Sequence, residues 1–152
     1  MAIKNTTLSQ TYPHFRTLTF PTKGNTAITV STAGVVLTAA QLLAGLLPLN
    51  CTDAGNLTLP TASEIIAALP PGLGVGTAFD VDFINYGDST ATIVVGTGIT
   101  NVAIDSEDAV LAVATHEALR LTLVVTGIAS PSVVGSADAI SLYGHGVNVA
   151  TS

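Results

Sequence analysis

The sequence predicts a mainly β protein, a jelly-roll-like β-sandwich with two short helices, and three observations carry that expectation. Short runs with a period of two recur along the chain, turns containing Gly and Pro separate them, and helical apolar spacing occurs only twice. Many short strands joined by such turns indicate a β-sandwich or jelly roll with small helical insertions. The 152 residues fit a single domain, and a hydrophobic share of 48% allows a sizeable core. Residues 1–24 read as an extended N-terminal arm and residues 25–152 as one β-sandwich domain.

From the N-terminus, Thr17-Leu18-Thr19-Phe20 and Thr26-Ala27-Ile28-Thr29-Val30 alternate cleanly and read as strands. The stretch from Gly24 to Thr52 carries no charge, and Val35 to Leu49 is its most apolar part. A membrane span needs about 20 consecutive apolar residues. Thr38, Gln41, Gly45 and Pro48 interrupt this stretch, so it reads as strand, helix and strand in a buried core, with membrane insertion as the lesser alternative. Thr38-Ala39-Ala40-Gln41 has the spacing of a capping box, in which the Thr hydroxyl takes an orphan N–H and the Gln reaches back. Leu42, Leu43 and Leu46 then form the apolar stripe, and Pro48 is expected to stop the helix. Thr61-Ala62-Ser63-Glu64 repeats the device, followed by Ile65, Ile66, Ala68 and Leu69 and ended by Pro70-Pro71-Gly72.

Phe79-Asp80-Val81-Asp82-Phe83 puts Phe79, Val81 and Phe83 on one face and both carboxylates on the other. Asn85-Tyr86-Gly87-Asp88 supplies turn chemistry, and Ala91 to Val95 reads as the strand returning from it. Further strands fit Val110 to Thr115, Leu119 to Thr126 and Ala139 to Tyr143. In the second of these Leu119, Leu121, Leu123 and Val125 face inward, with Arg120 and Thr122 outward. No repeat of fixed period stands out.

Charge narrows the function. Lys and Arg number 4 against 10 Asp and Glu, a net charge of −6, which argues against a nucleic-acid or anionic-membrane partner. Charged residues make up only 9%, and much of the polar surface falls to 22 Thr. Surface so weakly charged suits coverage by partner proteins, since interface cores are depleted of charge; a hydroxyl-rich extracellular β-protein is the alternative. Lys4, Arg16 and Lys23 lie in residues 1–24, whereas Arg120 is the sole basic residue beyond Asn25. That segregation reads as an arm docking on an acidic neighbour, or as an ordinary polar terminus. Met1 to Thr7 shows no apolar run of secretory type.

No residue set points to catalysis, a metal or a cofactor. Cys51 has no partner cysteine and no local base, and reads as a small buried thiol. Gly72-Leu73-Gly74-Val75-Gly76 follows a helix and precedes a strand, the reverse of a phosphate loop, and reads as a turn. His14, His116 and His145 are scattered without zinc spacing, and His116-Glu117 reads as a hairpin turn. Asp80 and Asp82 suit a solvated sheet face, a cation or a pairing with Arg120. Asp105-Ser106-Glu107-Asp108 lacks the residue order of a calcium loop. Asn5, Asn50 and Asn56 head acceptor triplets for glycosylation, which an abundance of Thr produces by chance.

One stretch goes beyond composition. Leu37-Thr38-Ala39-Ala40-Gln41-Leu42-Leu43-Ala44-Gly45 is followed by Thr58-Leu59-Pro60-Thr61-Ala62, an Ile at 65 or 66, and Ala67-Ala68-Leu69-Pro70. Val75-Gly76, Phe79, Asn85 and Gly96-Thr97-Gly98 come next in order. From Leu37 to Thr100 this resembles small virion proteins of tailed bacteriophages and some large DNA viruses, among them capsid decoration, or cement, proteins of jelly-roll-like β-fold. The resemblance implies a trimeric β-domain on the outer surface of the capsid. Its partners would be the major capsid protein and copies of itself, with no catalytic residue, cofactor, nucleic acid or membrane. The shared residues make the fold, so none carries over as a binding residue, and Lys4, Arg16 and Lys23 enter as a docking arm on charge alone. Three functional readings follow: a decoration protein that bridges capsomers, a tail or fibre adhesin or other carbohydrate-binding β-sandwich, and an enzyme.

Overall fold

The computed structural model describes residues 26–102 and 111–145. In chain order these form β1 (Ile28–Val30), β2 (Val35–Val36), α1 (Ala39–Leu43), β3 (Leu46–Cys51), β4 (Gly55–Thr58) and α2 (Ala62–Ala68). Then come β5 (Ala78–Asn85), β6 (Ala91–Val94), β7 (Ile99–Asn101), β8 (Leu111–Val113), β9 (Ala118–Gly127) and β10 (Ala139–His145). One sheet has six strands in the order β1-β3-β5-β9-β10-β7, and the other has four, β2-β4-β6-β8. The fold is thus mainly β, with two sheets and two short helices. The arm at residues 1–24, including the strand expected at Thr17 to Phe20, lies outside the described residues.

Up to β8, successive strands alternate between the sheets. The pairs β1/β2, β3/β4 and β5/β6 trace three coils, each strand parallel to its counterpart in the next coil. Ile28 stands beside Leu49 and Leu47 beside Phe83 in the larger sheet; Val35 stands beside Leu57 and Leu57 beside Ile93 in the smaller. α1 follows the first coil, α2 follows the second, and the helices pack on each other. The chain thus repeats a coil without a fixed period, since the interval between equivalent residues differs from one coil to the next. β9 and β8 run antiparallel to β5 and β6 and end the coiling. β10 enters between β9, antiparallel, and β7, parallel.

Both capping boxes form as the local chemistry requires. Thr38 Oγ1 accepts from the Gln41 N–H at 3.2 Å while Gln41 Oε1 accepts from the Thr38 N–H at 2.9 Å. Thr61 and Glu64 repeat this at 3.2 and 2.8 Å. The end of α1 differs from expectation. Gly45, at φ +79°, turns the chain out of the helix, so Leu46 and Pro48 belong to β3. Pro48 is tolerated there because the carbonyls of Gly45 and Leu49 face β5, which turns the Pro48 nitrogen to the other side. On that side the β1 partners begin only at Leu49.

Alternation fills one core between the sheets. Leu119, Leu121, Leu123 and Val125 of β9 are buried as expected, alongside Val81 and Phe83 of β5 and Leu47, Leu49 and Cys51 of β3. Leu57, Ile93 and Val113 close it from the smaller sheet. The hairpin expected between Phe79 and Val95 is corrected: β5 and β6 lie in different sheets, and Asn85 to Asp88 forms the corner between them. His116-Glu117 likewise turns the chain from β8 to β9 across the sheets, with His116 at φ +58°. Turn chemistry specifies a reversal or a corner equally well; the sheet each flanking strand joins decides between them.

Candidate functional site

Two surfaces carry side-chain arrangements that packing alone does not require. The first is the outer face of the six-stranded sheet. Asp82 of β5 stands directly opposite Arg120 of β9, and the guanidinium Nε and Nη2 donate to both carboxylate oxygens at 2.7 and 2.9 Å. This is the Asp–Arg pairing raised by the sequence. The hydrogen bonds from Arg120 hold the Asp82 carboxyl below the usual carboxylate range, and Asp82 raises the guanidinium in turn. Side-chain exposures of 56% for Arg120 and 37% for Asp82 make it a solvent-screened surface bridge of small worth to stability.

One row along the same face, the Thr122 hydroxyl donates to Asp80 Oδ1 at 2.6 Å, and its oxygen lies 3.1 Å from His145 Nε2. With its proton committed to Asp80, Thr122 accepts from His145, which places the imidazole proton on Nε2. The order carboxylate, hydroxyl, imidazole is not that of a nucleophilic triad, where the imidazole sits between the other two. Here the three residues lace adjacent strands together. In the sequence His145 is one of three scattered histidines; its place on β10, opposite Arg120, becomes visible only through the strand register.

The second surface is the end of the molecule where α2 leads into β5 and β9 leads into β10. The Gly76 N–H donates to the Val125 carbonyl at 2.8 Å, and the Val125 N–H donates to the Thr77 carbonyl at 2.9 Å. These bonds bring the loop after α2 against the end of β9. Val75 and Val133 are 65% and 58% exposed and Val134 is fully exposed, with Ile128 on the same loop as the last two. Neither loop carries a charge between Leu69 and Phe79 or between Leu121 and Ala137. The second loop is internally tied: the Ser130 N–H donates to Ser136 Oγ at 2.7 Å and the Ala129 N–H to Asp138 Oδ1 at 2.8 Å. Its valines are held outward by a hydrogen-bonded frame. Sequence reasoning missed this end, although the pair Val133-Val134 set among Ser, Pro and Gly was its visible signal.

The remaining candidates separate. Cys51 is buried in the core, and burial pushes its thiol upward. His116 Nε2 lies 3.9 Å from Asp88 Oδ1 with both side chains largely exposed. Gly72 and Gly76 adopt φ of +89° in the turn that the sequence indicated. Asn50 is half-buried in β3 and Asn56 is exposed in β4. Lys4, Arg16, Lys23, Asn5, His14 and Asp105 to Asp108 lie outside the described residues. Among the described residues no group of three or more His, Cys, Asp or Glu is gathered as a metal site would require, and no helix is long and apolar enough to cross a membrane. Comparison with protein-family models, with curated proteins and with solved structures returns no match.

Proposed function

We propose that the protein is a virion structural protein, a capsid decoration or cement protein bound to the outside of the shell. It would bridge capsomers, with the major capsid protein and two further copies of itself as partners. The observation that carries this reading is the uncharged end bearing Val75, Val133 and Val134. Exposed apolar side chains on a weakly charged molecule suit burial against another protein. The resemblance over Leu37 to Thr100 selects a capsid as that protein. In this reading Lys4, Arg16 and Lys23 form the docking arm. The jelly-roll-like sandwich that accompanies it agrees with the two sheets and two helices and differs in strand direction, since five of the eight pairings among the described residues are parallel.

A bridging protein needs no reaction. It binds the assembled shell in preference to free subunits, which shifts the assembly equilibrium by mass action. Repetition over a lattice then turns modest single contacts into firm retention. The test is thermal DNA release from particles with the protein, without it, and after add-back. Release at lower temperature without the protein, restored by the wild type and not by V133S/V134S, is the expected result. Identical release curves would remove the cement role and leave the adhesin reading in front.

A further inference from the structure

We propose that Ser136 is the positioning residue of the apolar end: its hydroxyl sets the Val133-Val134 tip in place before a partner arrives. The inference rests on the reading of that end as the surface buried against the shell, and adds what readies the tip for burial. The connection from β9 to β10 runs from Ile128 to Asp138, whereas hairpin loops usually run to about five residues. Most of it is Ser, Ala, Pro and Gly, which offer little packing to hold it. Hydrogen bonds supply the order instead. The Val133 N–H donates to the Ser130 carbonyl at 3.1 Å and the Ser136 N–H to the Val133 carbonyl at 3.2 Å, making two successive turns that share Val133. Gly135, at φ +85°, takes the third position of the second turn, where such a backbone favours glycine.

The Ser136 side chain spans both turns. Its Oγ accepts from the Ser130 N–H at 2.7 Å, and its proton is shared between the carbonyls of Val133 at 2.9 Å and Ser130 at 3.0 Å. One half-buried hydroxyl thus ties the first residue of the first turn to the last residue of the second. Val133 and Val134 lie between these points and face solvent. Fixing the backbone of one residue costs free energy comparable to what burying one valine side chain contributes. A tip that had to order on contact would lose much of its binding, and a tip ordered beforehand keeps it. Ser136 therefore acts through the valines, and its effect on attachment should exist only where they are buried.

Amide hydrogen exchange on the free full chain, and attachment of the same chain to particles lacking it, form the test. In the wild type the Ser130 N–H should exchange at least about tenfold more slowly than an open-chain amide, and Ser136→Ala should remove that protection. The same substitution should weaken attachment about tenfold, the equivalent of one hydrogen bond. With Val134→Ser already present, Ser136→Ala should weaken attachment clearly less, whereas a merely structural role would give the same loss in both backgrounds. Open-chain exchange at Ser130 in the wild type, equal attachment of wild type and Ser136→Ala, or equal losses in both backgrounds would each overturn the proposal. Attachment unchanged by V133S/V134S would overturn the underlying reading as well. Attachment lost with V133S/V134S but kept with Ser136→Ala would overturn the positioning role alone.

Discussion

The most informative perturbation is at Asn85, whose side chain is 1% exposed and fastens two corners of the fold together. Nδ2 donates toward the carbonyls of Ser89, Val113 and Ala114 at 2.7, 3.2 and 3.0 Å, and Oδ1 accepts from the Gly87 N–H at 3.0 Å. Two hydrogens serve three carbonyls, so one bond is shared. Asn85→Ala strips all of these partners at once. The buried Gly87 N–H and at least one buried carbonyl lose their bonds, at about 1–3 kcal/mol each. Allowing for partial relaxation, the expected loss is about 3–4 kcal/mol, a large share of the 5–15 kcal/mol usual for a domain. For a chain of this size that lowers Tm by about 10 °C. Urea unfolding should show a lower midpoint with an unchanged slope. Asn85→Asp keeps the volume and the acceptor for Gly87 but sets a carboxylate against three carbonyls, so its folded pKa must rise above the unfolded value of about 3.9. The penalty is then absent below that value and grows as pH climbs toward the folded pKa. The Asp variant should be nearest to wild type in acid and weakest at neutral pH. A loss under about 1 kcal/mol for Asn85→Ala, or no pH dependence for Asn85→Asp, would refute the reasoning.

Other expectations follow from the same geometry. Asp82→Asn should cost about 0.5 kcal/mol at neutral pH and less in high salt. Because the folded Asp82 pKa is depressed, that cost should vanish as pH falls through it, which paired urea melts will show. A Cβ at Gly87 would run into the backbone of Cys51, whereas one at Gly74 meets nothing within 4 Å. Gly87→Ala should therefore destabilise by about 2–3 kcal/mol or more, and Gly74→Ala should be neutral or slightly stabilising in the same thermal melt. Thr61→Ala removes the cap of α2 and should cost about 1 kcal/mol by denaturant titration, with Thr61→Ser close to wild type.

What the sequence disclosed was local. Both helices could be placed because Thr38 and Gln41, and Thr61 and Glu64, make their capping contacts within four residues. The inward face of β9 could be read because alternation over Leu119 to Val125 needs no knowledge of its neighbours. The coil could not be read so. Ile28, Leu49 and Asn85 occupy one row of the larger sheet, but the insertion of α2 and its Gly-rich turn makes the second interval much longer than the first. Uneven spacing hides a repeat that backbone pairing makes plain. Asn85 shows the same limit at one residue: as part of a turn motif it was visible, while its role as a clasp depends on Val113 and Ala114, distant in sequence. At the candidate site, Asp82 and Arg120 could be paired from strand faces alone, but Thr122 and His145 required the register of β10.

The way the coils end sets the order in which the chain can protect itself during synthesis. β3 and β5 can each dock on a strand already made, so the first three coils can assemble as they emerge. After β5 the rule changes. Its second edge and that of β6 wait for β9 and β8, whose residues follow only after β7 in the chain. At ribosomal speeds that interval is roughly a few seconds, during which β5 presents an unpaired edge beside Val81 and Phe83. β10 arrives last and must slip between β9 and β7, burying Ile140 and Leu142 as it does so. A nascent chain halted before Ala139 would thus carry finished coils joined to two strands with nothing between them, and its tendency to aggregate would be fixed by its final segment.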